Sequence, residues 1–325
     1  MGDGVGATVS LAEEFGSDFF KSEGCFNPQV VWNDTLKQHL KVPCGKCLYC
    51  LRLRQASWVT RLVEQLRQNP GTSYFVTMTY RPEEIPVDPE TGLMQVEKAH
   101  IKKLNMDLRR RFQQGFFYFD QDLDIGHLKE RIDLPKDLRF SYYLTSEYGP
   151  DGGLPHYHSV YYNLPSDRYL VTLLFEQIWN KGFCRVYEAS PNTIGYITKY
   201  LVNSKACDSY DVRFQNRPFS LMSKRLGFSY VDRMSAWHAA DPVGRSKAVY
   251  HGETSVMPRY YREKIFTEEQ RLLLQERYEK KRSSLEEKIE SLSCASLAAL
   301  NHARDKWQKD QMYAAEWITL KKHKL

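Results

Sequence analysis

No stretch of this 325-residue sequence approaches 18 consecutive apolar residues, and its mean hydropathy is -0.56. A helical membrane span is therefore not expected. The opening MGDGVGATVSLAEEFGSDFF lacks the basic start and apolar core of a secretory leader, and Gly6 stands where an N-acylation signal needs Ser or Thr. There is no internal repeat, and no low-complexity tract beyond a charge bias near the C-terminus. Nor is there a strong excess of one charge: 46 Lys and Arg face 40 Asp and Glu, a net charge of +6. A balance that mild neither demands nor excludes a polyanionic partner. These absences predict a folded cytoplasmic protein, and 42% hydrophobic residues suffice for a real core.

Of the seven cysteines, three form PCGKCLYC: Cys44, Cys47 and Cys50. In a reducing compartment, thiolates in a C-x2-C-x2-C rhythm point to zinc more than to disulfides. Zinc asks for a fourth ligand, and Cys25 in EGCFNP is the upstream candidate. The plainer alternative makes the cysteines small core residues of an amphipathic helix, which accounts for Cys50 but not for the rhythm. Basic residues cluster in LRLRQ (51–55), KKLNMDLRRRF (102–112) and NRPFSLMSKRLG (216–227). Such runs are usually solvated helix faces. Three of them near other signals mark Arg109, Arg110, Arg111, Lys224 and Arg225 as candidate contacts to a nucleic-acid backbone, with nearby Tyr or Phe to stack bases.

Periodicity predicts a helix from Cys47 to about Asn69, a strand over 73–80 and a helix over 96–112 with one apolar and one basic face. Two strands, 139–149 and 156–163, flank the turn signal PDGG and make a hairpin. A helix (167–182), a strand (183–190) and a helix (191–204) capped by Ser190 with Pro191 in its first turn complete the order β-α-β-β-α-β-α. That is the split βαβ, ferredoxin-like pattern plus one helix, an α+β fold whose antiparallel sheet is expected to carry its helices on one side. The expected divisions are an N-terminal cysteine-bearing and helical segment (1–70, partly disordered at its start), a sheet domain (71–205), a basic irregular region packing on it (206–265) and a charged helical tail (266–325). Residues 113–137 show no clear period.

Within PHYHSVYY, His156 and His158 stand two apart on a strand, so both point to one face, roughly 6.5 to 7 Å apart at Cα. An H-x-H is common by chance in a chain with nine histidines. Glu147 lies across the hairpin near the same level, and a carboxylate beside two imidazoles makes an open divalent-metal site suited to phosphate chemistry. Solvated histidines on a surface hairpin are the alternative. Tyr196 and Tyr200 sit one helical turn apart with Lys199 between them. Taken alone they read as core packing, but a helix lying on the histidine-bearing sheet would turn both hydroxyls toward a metal-held phosphate. A phenol has a pKa near 10, so it becomes a competent nucleophile only when a cation such as Lys199 or the metal assists it.

These motifs, from PCGKCLYC through YFVTMTY, SEYG, PHYH and YITKYL to SLMSKRLG and MPRYYREK, resemble the HUH endonucleases that start rolling-circle replication. The whole layout looks like that of the initiators of small single-stranded DNA phages, the microviruses and among them the gokushoviruses. The resemblance implies that His156 and His158, flanking the bulky Tyr157, bind Mg2+ or Mn2+ with Glu147 as third ligand. It implies that Tyr196 and Tyr200 are two nucleophiles supported by Lys199. One tyrosine attacks origin DNA to give a 5′-phosphotyrosyl bond and a free 3′-OH primer, and the other later cleaves the regenerated origin so that a circle is released. A host helicase and DNA polymerase in the bacterial cytoplasm would be partners. Three other readings remain: a non-enzymatic RNA- or DNA-binding module on the same sheet, a single-tyrosine relative such as a transposase or relaxase, and a zinc-dependent structural or regulatory protein built around Cys44 to Cys50.

Overall fold

The structure is a computed structural model that describes residues 25, 28–34, 37–118, 130–132, 139–149, 153–206, 216–250, 252–290, 298 and 302. Expectations for residues 1–24, for residues 119–129 and 133–137 of the stretch without a clear period, for most of the PDGG turn and for most of the tail beyond 290 fall outside them. The elements begin with β1 (Gln29–Asn33), β2 (Gln38–Val42), α1 (Leu48–Gln68), β3 (Tyr74–Tyr80), α2 (Lys98–Gln114), β4 (Phe116–Tyr118) and β5 (Glu130–Ile132). Then come β6 (Ser141–Tyr148), β7 (Pro155–Tyr162), α3 (Arg168–Ile178), β8 (Gly182–Glu188), α4 (Pro191–Ala206) and β9 (Ser220–Met222). Last are α5 (Ser229–Ala240), β10 (Ala248–Tyr250), β11 (Glu253–Ser255), α6 (Arg259–Ile265) and α7 (Glu268–Glu290). Among the described residues no helix is long and apolar enough to cross a membrane.

The chain divides into two compact units, Ser57–Tyr200 with Cys207–Arg233, and Met1–Ala56 with Leu201–Ala206 and Met234–Leu325. The first holds a five-stranded antiparallel sheet ordered β8-β3-β7-β6-β9. Four of its strands follow the split βαβ order expected from the sequence, and the fold is α+β as expected; β9 extends the sheet beyond β6. Alternation sends Tyr74, Val76, Met78 and Tyr80 of β3 and Tyr157 and Tyr161 of β7 to one face. There they form the core with Ile101, Leu104, Leu108 and Phe112 of α2 and Val171, Leu174, Phe175 and Trp179 of α3. Both helices form where the sequence caps them. Glu97 accepts from the Ala99 amide, Gly115 ends α2 with φ 72°, and Asp167 accepts from the Tyr169 and Leu170 amides. Helices cover both faces rather than the one expected: on the sheet's other face Trp58 of α1 packs on Tyr143, and the Tyr162 hydroxyl donates to the Leu62 carbonyl at 3.1 Å.

The region 206–265, expected to be irregular, carries β9, α5, the β10–β11 hairpin and α6 among its described residues. Its strands are three residues long, too short for a period to register, and prolines between the elements mimic loop punctuation. The pairing of β4 with β5 likewise orders part of the stretch that showed no period. In the second unit β1 and β2 form an antiparallel hairpin with Gln29 opposite Val42 and Asn33 opposite Gln38.

Candidate metal and tyrosine site

The sheet face opposite the core carries the candidate site. In register, Glu147 of β6 faces His156 of β7, and His158 lies between Thr145 of β6 and Thr77 of β3. His158 Nε2 stands 2.7 Å from Glu147 Oε1, and His156 Nε2 contacts the same oxygen. The intervening Tyr157 points to the other face. Its hydroxyl accepts from the Glu97 amide at 2.8 Å and pairs with the Tyr80 hydroxyl at 2.8 Å, so the strand between the two histidines is pinned to the start of α2. Gly149 lets the chain pass the His156 ring, since a Cβ there would meet Cε1 at 3.0 Å.

Glu147 Oε1 and the two Nε2 atoms lie within 4.8 Å of one another, an acceptor set of two imidazoles and one carboxylate. The second ring nitrogens are spoken for. His156 Nδ1 faces the Leu154 carbonyl at 2.9 Å and His158 Nδ1 faces the Thr77 hydroxyl at 3.1 Å. The Leu154 contact assigns the His156 proton to Nδ1 in its neutral form and leaves the Nε2 lone pair for a cation. These residues fit a divalent ion. Burial works to raise the Glu147 carboxyl, but its bonds to His156 and His158 outweigh that and hold it down at about 2. Burial disfavours the charged form of His156, yet the Glu147 carboxylate raises it above the ordinary imidazole range.

α4 begins as its sequence predicts, with Ser190 and Thr193 exchanging side-chain and amide hydrogen bonds at its start. It lays both tyrosines on the histidine. The Tyr200 ring stacks on His158 at 5.5 Å and 7°, with Phe75 stacked at 5.7 Å, while Tyr196 meets His158 edge-on at 5.3 Å. The Tyr200 hydroxyl donates to the Tyr196 oxygen at 2.6 Å, and the Lys199 ammonium lies 5.7 Å from the Tyr196 ring centroid. Burial raises both phenols, Tyr200 most; for Tyr196 the bond from Tyr200 works the other way. Glu147, His156, His158, Tyr196, Lys199 and Tyr200 are therefore gathered at one place.

The other nominated residues are not. Arg109, Arg110 and Arg111 ride on α2, which packs on the core face, and Arg109 spends its guanidinium 5.3 Å from the Phe140 ring. Lys224 and Arg225 lie in the turn after β9, past Met222, which faces Tyr143 at the far end of β6 from Glu147. The cysteines gather in the other unit. Cys25, Cys44, Cys47 and Cys50 place their sulfurs within 4.8 Å of one another, and no disulfide joins them. Burial raises the Cys44 thiol, but the Cys47 and Lys46 amides donating to it prevail and hold it at about 7. Sequence reasoning missed the row on β8. Phe183, Arg185 and Tyr187 face Thr79, Thr77 and Phe75, on the same sheet face as the triad, and all three are exposed. The alternation in FCRVYE was the available signal, with the large and charged residues on one parity and Cys184 and Val186 on the other.

Comparison with known proteins finds a match to the segment that carries this arrangement. The family model described as "Replication-associated protein ORF2/G2P" matches residues 73–205. Over 217 residues the chain is 27% identical to the replication-associated protein ORF2 of Spiroplasma virus 4, covering 63% of this chain and 59% of that relative. The chain thus spans less than two thirds of the length of that curated relative. No solved structure gives a significant match. The matched segment contains every residue of the triad and the tyrosine pair, so residues 73–205 are similar to the replication-associated protein ORF2/G2P family, in line with the resemblance of this sequence to phage rolling-circle initiators.

Proposed function

We propose that the protein initiates rolling-circle replication of a small single-stranded DNA phage by nicking and religating origin DNA through tyrosine transesterification on an HUH-type sheet. One observation carries the reading: two phenols lie against His158, itself part of a two-histidine, one-carboxylate cluster. In the cleavage step a tyrosine oxygen attacks phosphorus, an O–P bond forms, and the P–O3′ bond breaks. The departing oxygen takes up a proton to become the free 3′-OH, and the phosphate remains on tyrosine as a 5′-phosphotyrosyl ester. Because the ester conserves the phosphodiester's free energy, attack by a 3′-OH reverses the step and closes the strand without ATP.

Glu147, His156 and His158 would hold Mg2+ or Mn2+, which when bound draws negative charge off the scissile phosphate. Lys199, next to Tyr196, favours the phenolate there. Tyr200, donating to Tyr196, disperses charge on that oxygen and stands ready as the second nucleophile. Origin DNA is the substrate, a host helicase and polymerase extend the primer, and the bacterial cytoplasm is the place of action. The test mixes the protein with circular single-stranded DNA carrying its origin and Mn2+, followed by a denaturing gel. A protein–DNA adduct is expected that disappears with EDTA, with His156→Ala, and with Tyr196→Phe plus Tyr200→Phe together. Tight binding with no adduct at a verified origin would instead favour a non-enzymatic binding module.

A further inference from the structure

We propose that Cys25, Cys44, Cys47 and Cys50 hold one zinc ion, and that this ion takes the place of a hydrophobic core in fixing the β1–β2 hairpin. The inference stands apart from the nicking reaction. Four thiolates about 2.3 Å from a tetrahedral zinc lie about 3.8 Å from each other. Here the Cys44 and Cys50 sulfurs are 4.0 Å apart, those of Cys47 and Cys25 are 3.9 Å apart, and no pair exceeds 4.8 Å. A disulfide would need about 2.05 Å. An iron–sulfur cluster spreads its thiolates over separate irons, so its sulfurs would not converge on a single point.

The surrounding backbone serves the sulfurs. The Cys44 amide donates to Cys25 Sγ at 3.1 Å, and the Lys46 and Cys47 amides donate to Cys44 Sγ at 3.4 and 3.3 Å. Gly45, at φ 71°, makes the tight turn that points those amides inward. Amide donors of this kind orient thiolate ligands and stabilise their charge. A site closed by four thiolates has no open position for a substrate, which makes the ion structural.

What it holds follows from the chain. Cys25 precedes β1, Cys44 follows β2, and Cys47 and Cys50 lie at the start of α1, so one ion joins both ends of the hairpin to a helix. The hairpin has little else. Leu40 is its one buried side chain among those described, whereas Val30 is 62% and Trp32 50% exposed. A two-stranded hairpin without an apolar face is marginal in water.

The full-length protein, purified without added metal, is expected to contain one zinc per chain and no iron. After exchange it should show the visible absorption of tetrahedral cobalt tetrathiolate. Ejecting the zinc with a thiol reagent and chelator, or replacing Cys47→Ser, should speed amide hydrogen exchange across residues 29–42 by about tenfold or more. Exchange in β3 and β7 serves as the control for general unfolding. Because wild-type protein is stripped directly, the test does not depend on the variant folding. Iron in place of zinc, a cysteine disulfide in the reduced preparation, or hairpin protection unchanged in zinc-free protein would overturn the proposal.

Discussion

At the scale of single residues, Glu147 and His156 are bound together by opposite shifts. The carboxyl's folded value, about 2, is below its ordinary value, so its contribution is present above the ordinary carboxylate range and is lost as pH falls toward 2. The His156 value is raised, so its contribution is present below the ordinary imidazole range and is lost as pH rises through the raised value. Metal-free protein should therefore be most stable between about pH 4.5 and 6.5 as far as this pair is concerned. Urea unfolding followed from about pH 6 down to about pH 2 should show an acid limb below about pH 4.5, on the order of 2–3 kcal/mol, that Glu147→Gln removes. An unchanged acid limb in the variant would mean that the pair does not couple to folding. The tyrosines divide in a similar way. Tyr196 is partly exposed and accepts from Tyr200, a bond that works against the rise burial causes in its phenol, whereas Tyr200 is buried and its bond to Tyr196 adds to the rise that burial causes; the Glu147 charge raises both. In single-turnover cleavage Tyr196→Phe should cost at least about 10³-fold in adduct formation and Tyr200→Phe less than about tenfold. The reverse order would make Tyr200 the first nucleophile.

At the scale of elements, β8 places an exposed row beside the site where the proposed function would need DNA to pass. Phe183 is 66% and Tyr187 50% exposed, Arg185 lies between them, and only the side chains of Thr77 and Thr79 separate Phe183 and Arg185 from the histidine column. Two strand spacings put that row about 10 Å from His156 and His158, a reach of one to two nucleotides. Stacking a base on an aromatic ring is worth about 1–3 kcal/mol, so Phe183→Ala and Tyr187→Ala should each weaken single-stranded DNA binding by about tenfold to a hundredfold. Arg185→Ala should lower the salt slope by about 0.7. Arg109→Ala and Arg110→Ala, on the core-face helix, should change affinity little in the same anisotropy titrations; equal losses would put the DNA on the other side. The contrast shows where sequence reading reached and where it stopped. SYYLTSEY and PHYHSVYY were legible because strands buried on both faces still bring Glu147 opposite His156 once the hairpin is recognised, and α4 was legible from Ser190 and Pro191. A charge run such as LRRR carries no statement of which sheet face its helix covers, so the sequence could not tell that α2's arginines ride on the core-face helix rather than beside the triad. QVVWN and QHLKV were passed over because five residues are too few for a period to register, and β1 keeps Val30 and Trp32 exposed.

At the scale of the whole molecule, the chain has two candidate metal centres of opposite chemistry, one in each compact unit. Four soft thiolates select zinc and close around it. Two imidazoles and a carboxylate leave coordination positions open and suit Mg2+ or Mn2+. The two centres should therefore separate by lability. Brief EDTA treatment should abolish nicking while one zinc per chain remains, and added Mn2+ should restore it. Prolonged chelation with a thiol reagent should release the zinc, after which Mn2+ should no longer bring back hydrogen-exchange protection over residues 29–42. Following zinc content, adduct formation and exchange on the same samples tests the division directly. If zinc and nicking were lost in step, and returned together only on adding zinc, the activity would depend on the thiolate centre, and the triad would no longer account for it alone. Loss of nicking with zinc retained assigns the labile ion to Glu147, His156 and His158, because among the described residues no other cluster outside the cysteines offers three ligand atoms to one cation.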